Sequence, residues 1–291
     1  DQRRGVREEL HPEGWRVGLV NLPLFRPEDD PGPSFLGLLG HLGLGPTEFF
    51  RGAAGVDPGL SPHATTVVAV RHSEGVIMAG DRRATSGNFI SHRSIEKVFP
   101  ADRHSGVAIS GTAGIAMEMV RLFQLQLEHY EKVEGKALSL DGKANQLSQM
   151  LRANLPLAMQ GLVVVPLFAG YDHRHDTGRL FQYDVTGGRY EERDHAATGS
   201  GMLHASTVVK LRYREDMTED EAVDVVVEAL FQAADEDSAT GGPDLIRGIY
   251  PVVASITAAG FERFDDQRVA DRTTALLDSL IGNQTGGHPS S

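Results

Sequence analysis

Residues 63–70 read His-Ala-Thr-Thr-Val-Val-Ala-Val, a pair of threonines that leads directly into a β-rich run. A small residue before such a pair, at the start of a strand, indicates that Thr65 becomes a new N-terminus once the first 64 residues are removed. Cleavage there would put a hydroxyl and a free amine on one residue, so that a nucleophile and its base arrive together. In an uncleaved chain, Thr66 would be only a strand residue.

The residues downstream offer the partners that a threonine nucleophile requires. A threonine hydroxyl needs a base, and an α-amino group with a pKa of about 7.7 to 8.0 suits that role at neutral pH. Lys97 can supply a positive field that favours the alkoxide, and Asp81, at the end of an expected strand, can hold that ammonium in place. The amide of Gly111, at a strand-to-helix junction, can donate to a substrate carbonyl.

Each of these features also has an ordinary structural explanation. A threonine pair at the start of a strand reflects β-propensity, and Asp81 beside two arginines is typical of a solvated turn. Lys97 could equally be an exposed lysine, and glycine-rich junctions commonly serve tight turns. Only their joint spacing favours a catalytic site.

Composition excludes several classes of function. The net charge of -12, without a dense Lys/Arg cluster, argues against nucleic acid or an anionic membrane as the partner. The absence of cysteine excludes disulfides, thiol nucleophiles and cysteine-based zinc sites. The longest strongly apolar run, residues 162–170, is far shorter than the roughly 20 residues that span a bilayer. No signal-peptide layout is visible, so we expect a cytoplasmic protein.

The pattern of elements changes near Ala64. Before it, proline, glycine and mixed charges predict weak helices and loops. After it, apolar and β-branched runs predict strands at 66–70, 75–80, 106–110, 162–171, 179–185 and 250–257, the first two forming a hairpin. Helical periodicity predicts helices at 112–132, 141–160 with Asp141 as N-cap, 201–213 and 218–235. Paired strands and paired helices favour two stacked antiparallel sheets with helices outside, an α+β fold.

Eight segments after residue 64 form a specific set: TTVVAV at 65–70, GDRRAT at 80–85, EKV at 96–98, SGTAG at 110–114, LEHYEK at 127–132, AMQGL at 158–162, GSG at 199–201 and DSATGGPD at 237–244. Together they resemble the β subunit of the proteasome core particle, most closely the actinobacterial type. The resemblance covers residues 65–257 without a large gap. It implies the four-layer αββα sandwich of the N-terminal-nucleophile (Ntn) hydrolases and threonine-dependent cleavage of peptide bonds.

The resemblance also assigns roles to individual residues. Thr65 matches the nucleophile, Asp81 and Lys97 match its charged partners, and Gly111 matches the oxyanion-hole amide. Ser200 and Asp237 match residues that orient the new N-terminus and relay protons, and Thr85 matches a backbone position that holds the substrate strand. Thr240 stands where many members carry serine, and either hydroxyl can make the same hydrogen bond. The specificity pocket maps onto uncharged residues, namely Ala84, Ile95, Ile109 and Ala113.

An apolar pocket implies cleavage after apolar or aromatic residues. The implied reaction passes through an ester on Thr65 that water hydrolyses, and it requires no metal, nucleotide or organic cofactor. His173 and His175, two apart in an expected polar loop, indicate solvent exposure rather than metal ligation.

The processing site departs from the family, which normally has Gly-Thr where this chain has Ala64-Thr65. If the processing turn is left-handed, a Cβ costs roughly 1 to 2 kcal/mol, and each 1.36 kcal/mol in a barrier is about tenfold in rate. Because the sequence runs through Ala64 without a break, we expect an unprocessed or processing-defective precursor whose Thr65 nitrogen is an amide.

The expected organisation is a propeptide over residues 1–64, a catalytic domain over 65–281 and a disordered tail over 282–291. The resemblance implies assembly with α subunits and other β subunits in stacked seven-membered rings. It also implies an ATP-dependent unfoldase ring and unfolded protein substrates, including proteins tagged with a ubiquitin-like modifier. Two alternatives stay open: a related Ntn amidase that acts on small amides, and a catalytically silent assembly subunit.

Overall fold

The computed structural model describes residues 65–86 and 89–285, and every structural statement below concerns that part of the chain. The expected propeptide, including Ala64, and residues 286–291 lie outside the described residues. The strands, in chain order, are β1 (Thr66–His72), β2 (Gly75–Gly80), β3 (Ala84–Ser86), β4 (Phe89–His92), β5 (Val98–Asp102), β6 (Ser105–Gly111), β7 (Val164–Asp172), β8 (Thr177–Tyr183), β9 (Arg189–Glu192), β10 (His195–Gly199), β11 (Val252–Thr257) and β12 (Gly260–Arg263). The helices are α1 (Ala113–Glu134), α2 (Leu140–Ala158), α3 (Met202–Arg212), α4 (Glu219–Glu236) and α5 (Asp266–Thr285).

Two five-stranded antiparallel sheets form the centre of the molecule. The first has the order β10-β1-β2-β11-β12 and the second has the order β5-β6-β7-β8-β9. Strands β3 and β4 form a separate two-stranded sheet. The expected hairpin of β1 and β2 is confirmed, and its register pairs Val67 with Gly80.

The described residues form four layers in the order helices, sheet, sheet, helices, and an apolar cluster fills each of the three spaces between neighbouring layers. Along β1, Val67 and Ala69 pack between the two sheets, whereas Val68 and Val70 face the helices α3, α4 and α5. On the other side, Phe123 of α1 and Leu147 of α2 pack on the second sheet. Because both faces of β1 are covered, its sequence is apolar at successive positions instead of alternating with polar residues. The αββα sandwich of the Ntn-hydrolase fold is therefore confirmed.

All four expected helices agree with the structure to within two residues at each end, with one corrected cap. The N-cap of α2 is Ser139, not Asp141, because the Ser139 hydroxyl accepts a hydrogen bond from the Gly142 amide at 3.2 Å. Asp141 lies in the first turn of α2 and pairs with Arg179 at 2.9 Å. Helix α4 begins with a capping box between Thr218 and Glu221, which fits its expected start.

Six short strands and one long helix were not predicted from the sequence, namely β3, β4, β5, β9, β10, β12 and α5. All four residues of β4 are exposed, so that strand carries no burial pattern for the sequence to reveal. Helix α5 continues to Thr285, so the expected boundary at Ile281 falls inside a helix. In the described part of the chain, no helix is long and apolar enough to cross a membrane.

Candidate active site

The start of β1 places Thr65 beside the end of β10. The Thr65 carbonyl accepts a hydrogen bond from the Ser200 amide at 3.0 Å, and Thr66 is in register with Gly199. Gly199 has a φ of 106°, and a Cβ there would lie 1.6 Å from the Thr65 carbonyl oxygen. Only glycine permits this approach, so the GSG segment fixes the position of Thr65.

Asp81, directly after β2, is fully buried and has both carboxylate oxygens saturated. Its Oδ1 accepts from the Thr66 amide at 2.9 Å and from Lys97 Nζ at 2.6 Å. Its Oδ2 accepts from the amides of Arg83 at 2.9 Å and Gly241 at 2.8 Å. Four donors compensate the loss of water around this carboxylate.

Lys97 lies beside Asp81 and is equally enclosed. Its Nζ donates a second hydrogen bond to the Arg83 carbonyl at 2.6 Å, and the residue is 2% exposed. Burial lowers the pKa of Lys97, and attraction to Asp81 opposes that shift. Asp81 therefore holds the Lys97 ammonium in a buried position next to the start of β1.

A second cluster of polar groups joins Ser200 to Asp237 and Thr240. The hydroxyls of Ser200 and Thr240 both donate to Asp237 Oδ2, from Thr240 at 2.6 Å. The Ala239 amide donates to Asp237 Oδ1 at 3.1 Å. Burial raises the pKa of Asp237, but these hydrogen bonds outweigh it and hold the pKa below its ordinary value. Asp237 is thus held as an acceptor at neutral pH.

A small cleft opens beside Thr65, with a cavity volume of about 20 Å³. We call it the Thr65 cleft, and it is lined by Thr65, Ala84, Ile95, Glu96, Lys97, Ile109, Ser110, Gly111, Ala113, Ala116 and Met117. All four residues assigned to the specificity pocket by the resemblance line it, together with Lys97 and Gly111. The structure therefore brings these residues to one place.

Four residues of the Thr65 cleft were given no role from the sequence, namely Glu96, Ser110, Ala116 and Met117. Ala116 and Met117 follow Ala113 by three and four positions on α1, so helical spacing could have identified both. Glu96 adds a carboxylate to a lining that was expected to be uncharged, and this carboxylate pairs with Arg263 at 2.5 Å.

Gly111 ends β6 with a φ of 105°, and a Cβ there would lie 2.1 Å from the Val163 carbonyl oxygen. The tight junction therefore requires glycine and directs the chain into α1. Thr85 is buried in β3, where it pairs with Ile90 of β4, and it is not among the residues of the Thr65 cleft.

His173 and His175 are exposed, as expected, and the carboxylate of Asp172 pairs with the His175 ring at 2.9 Å. No group of three or more His, Asp or Glu side chains that could hold a metal occurs within residues 65–86 and 89–285.

Comparisons with known proteins agree with the fold and the motifs. The family model described as "Proteasome subunit" matches residues 61–246. A "Proteasome subunit beta" of Acidimicrobium ferrooxidans is 58% identical over 275 residues, which covers 92% of this chain and 96% of that protein. A "Proteasome subunit beta" of Streptomyces griseus is 57% identical over 226 residues, which covers 78% of this chain and 80% of that protein. The chain therefore belongs to the proteasome subunit family and is similar to its actinobacterial β members.

Proposed function

We propose that this chain is the precursor of a threonine endopeptidase, a proteasome β subunit whose Thr65 becomes the nucleophile after cleavage of the bond between Ala64 and Thr65. The observation that carries the proposal is the buried Asp81–Lys97 pair. Its carboxylate binds the Thr66 amide at 2.9 Å, and its lysine shares the Thr65 cleft with Thr65 and Gly111. The proposed nucleophile, the positive charge and the amide donor thus line one cleft.

The chemistry follows from these positions. In the mature chain, Thr65 Oγ attacks the peptide carbonyl carbon while the Thr65 amine takes the hydroxyl proton. The positive charge of Lys97 favours the alkoxide, and the Gly111 amide donates to the oxygen that becomes negative. The C–N bond of the substrate then breaks and the proton passes to the leaving amine. An ester on Thr65 remains, and water hydrolyses it.

Ser200, Asp237 and Thr240 are proposed to orient the new amine. Support comes from the Ser200 amide, which holds the Thr65 carbonyl at 3.0 Å, and from the hydroxyls of Ser200 and Thr240, which both bind Asp237. Thr85 stays a proposed backbone contact for the substrate strand.

The lining of the Thr65 cleft favours substrates with an apolar or aromatic side chain before the cleaved bond. Ala84, Ile95, Ile109, Ala113 and Met117 present carbon surface. The added Glu96 carboxylate is neutralised by Arg263, so it does not make the cleft a site for basic side chains.

Ala64 is proposed to slow self-cleavage by roughly tenfold, because a Cβ costs about 1 to 2 kcal/mol in a left-handed turn. The chain would then persist as an unprocessed or processing-defective precursor. After maturation, we propose that it assembles with α subunits and other β subunits in stacked seven-membered rings in the cytoplasm. There an ATP-dependent unfoldase would deliver unfolded proteins, some carrying a ubiquitin-like tag. The β-subunit names of both relatives support this assembly.

The proposal is tested with Thr65→Ala in the full chain, read by hydrolysis of a fluorogenic peptide with an apolar residue before the cleaved bond and by intact mass. We expect no hydrolysis and no mass that begins at residue 65. Thr65→Ser, which keeps a hydroxyl, should retain measurable turnover. Thr274→Ala is the matched control, because that exposed threonine on α5 only bonds the Ala270 carbonyl. Peptide turnover by Thr65→Ala would refute the proposal, and faster turnover of a small amide by the parent chain would favour an amidase.

A further inference from the structure

Thr66 makes more contacts with the candidate site than a strand residue requires. It is fully buried, its amide donates to Asp81 Oδ1 at 2.9 Å, and its carbonyl accepts from the Asp81 amide at 3.1 Å. Its hydroxyl lies 2.6 Å from the Thr240 hydroxyl and accepts from the Gly201 amide at 2.9 Å. Thr66 therefore connects Asp81 directly to the cluster of Ser200, Asp237 and Thr240.

The direction of these hydrogen bonds follows from counting protons. An ionised carboxylate only accepts, so the single hydroxyl proton of Thr240 goes to Asp237 Oδ2 at 2.6 Å. The Thr66 hydroxyl must then be the donor to Thr240. The Gly201 amide occupies the accepting side of Thr66. The chain of donors thus runs from Gly201 through Thr66 and Thr240 to Asp237. The Ser200 hydroxyl donates to the same carboxylate oxygen of Asp237.

The space around this hydroxyl is closed. A Cβ on Gly201 would lie 2.7 Å from Thr66 Oγ1 and 2.6 Å from Thr240 Oγ1. β-propensity alone does not explain a hydroxyl here, because valine fits a buried strand equally well and the next two residues are Val67 and Val68. A buried hydroxyl is costly unless its hydrogen bonds are made, and in Thr66 they are made to the proposed site.

We propose that Thr66 is a positioning residue of the threonine site, whose hydroxyl fixes the orientation of Thr240 and, through it, of Asp237 and Ser200 around the amine of matured Thr65. This inference rests on the proposed function. The Thr66 side chain does not line the Thr65 cleft, so it acts on the groups that hold the amine and not on substrate binding.

Replacement by valine keeps the shape and removes the hydroxyl. In Thr66→Val, the Gly201 amide loses its acceptor and the Thr240 hydroxyl loses the donor that fixes its rotation. We expect kcat to fall about 10- to 100-fold with KM within twofold of the parent value. Thr66→Ser, which restores the hydroxyl, should recover kcat to within about threefold.

The experiment uses the full chain, with kcat divided by the fraction of molecules whose mass begins at Thr65. Thr273→Val is the matched control, since that threonine is equally buried but its hydroxyl bonds the Val269 carbonyl within α5. Thr66→Ala, which puts no methyl group against the Gly201 amide, replaces Thr66→Val if the latter does not fold. If Thr66→Val or Thr66→Ala fails to mature while Thr66→Ser matures normally, that result also supports the inference.

The double variant Thr66→Val/Thr240→Val separates positioning from mere packing. If Thr66 acts through Thr240, the double variant should be no slower than Thr240→Val alone, whereas independent structural damage would multiply the two losses. Unchanged kcat in Thr66→Val, or multiplied losses in the double variant, would overturn the inference. If either of these results is found and Thr65→Ala is inactive, the proposed function stands and only the role of Thr66 fails.

Discussion

Within residues 65–86 and 89–285, two Asp–Lys ion pairs have a buried lysine, but Asp81 is fully buried whereas Asp102 is partly exposed. Lys97 Nζ lies 2.6 Å from Asp81, and Lys143 Nζ lies 2.5 Å from Asp102. The first pair joins the end of β2 to the segment before β5, next to the Thr65 cleft. The second joins α2 to the last residue of β5.

The partners of the two carboxylates explain the difference. Asp81 accepts backbone amides from three separate segments, including that of Thr66 beside the proposed nucleophile. Asp102 accepts only from its own turn, from the His104 amide at 3.0 Å and the Ser105 hydroxyl at 2.6 Å, besides Lys143. An Asp–Lys pair with a buried lysine therefore does not by itself indicate catalysis. The segments that it joins and the space that it adjoins decide its role.

The largest expected effect comes from exchanging each lysine for methionine. Lys97→Met should lower kcat at least about 1000-fold, because it removes the charge that favours the Thr65 alkoxide. Lys143→Met should leave kcat within twofold of the parent value while lowering the free energy of unfolding by about 2 kcal/mol, since the partly exposed Asp102 loses its cationic partner but keeps two hydrogen bonds. Peptide hydrolysis and urea denaturation of both variants measure the two effects. Equal losses of kcat in Lys97→Met and Lys143→Met would show that both lysines support activity only by stabilising the fold.

A smaller effect is expected from narrowing the Thr65 cleft, which lies next to the Asp81–Lys97 pair. Ala113→Val narrows the cleft and should lower kcat/KM for a large aromatic side chain before the cleaved bond by about tenfold, with less effect on a small apolar one. Ala275→Val is the matched control on the exposed side of α5. Both variants are compared on two peptides that differ only at that side chain. A uniform loss on both peptides would place Ala113 outside the specificity pocket.

The Asp81–Lys97 pair is easier to predict from the sequence than the Asp102–Lys143 pair, and the reason is geometric. The hairpin of β1 and β2 is local, and its register brings Asp81 back beside Thr66. Lys143 lies in an amphipathic helix, where a lysine is normally exposed, and Asp102 lies in an unpredicted strand. No local pattern could have paired them.

The remaining parts of the candidate site depend on contacts that are distant in sequence. Ser200 reaches Thr65 through the pairing of β1 with β10, a strand that the periodicity did not predict. Asp237 and Thr240 follow the end of α4, and Thr240 contacts Thr66 from there. Their roles came from the resemblance alone. The interpretation of Thr66 as only a strand residue was incomplete. A threonine that favours a strand and a threonine whose buried hydroxyl makes hydrogen bonds look the same in the sequence.

The smallest expected effect concerns pH and distinguishes the two functions of Lys97, charge and packing. Burial lowers the pKa of Lys97 below that of an unfolded lysine, so between the folded and the unfolded pKa the unfolded state binds more protons. Stability from this group therefore rises with pH in that window, by at most about 1.4 kcal/mol per pH unit. Activity that needs the charge falls in the same window. Urea denaturation of the parent chain and Lys97→Met, from pH 8 upward, should give a stability difference that grows with pH in favour of the parent. A difference that shrinks with pH would mean that Asp81 stabilises the ammonium of Lys97 more than burial penalises it, and a constant difference would mean that the two effects balance.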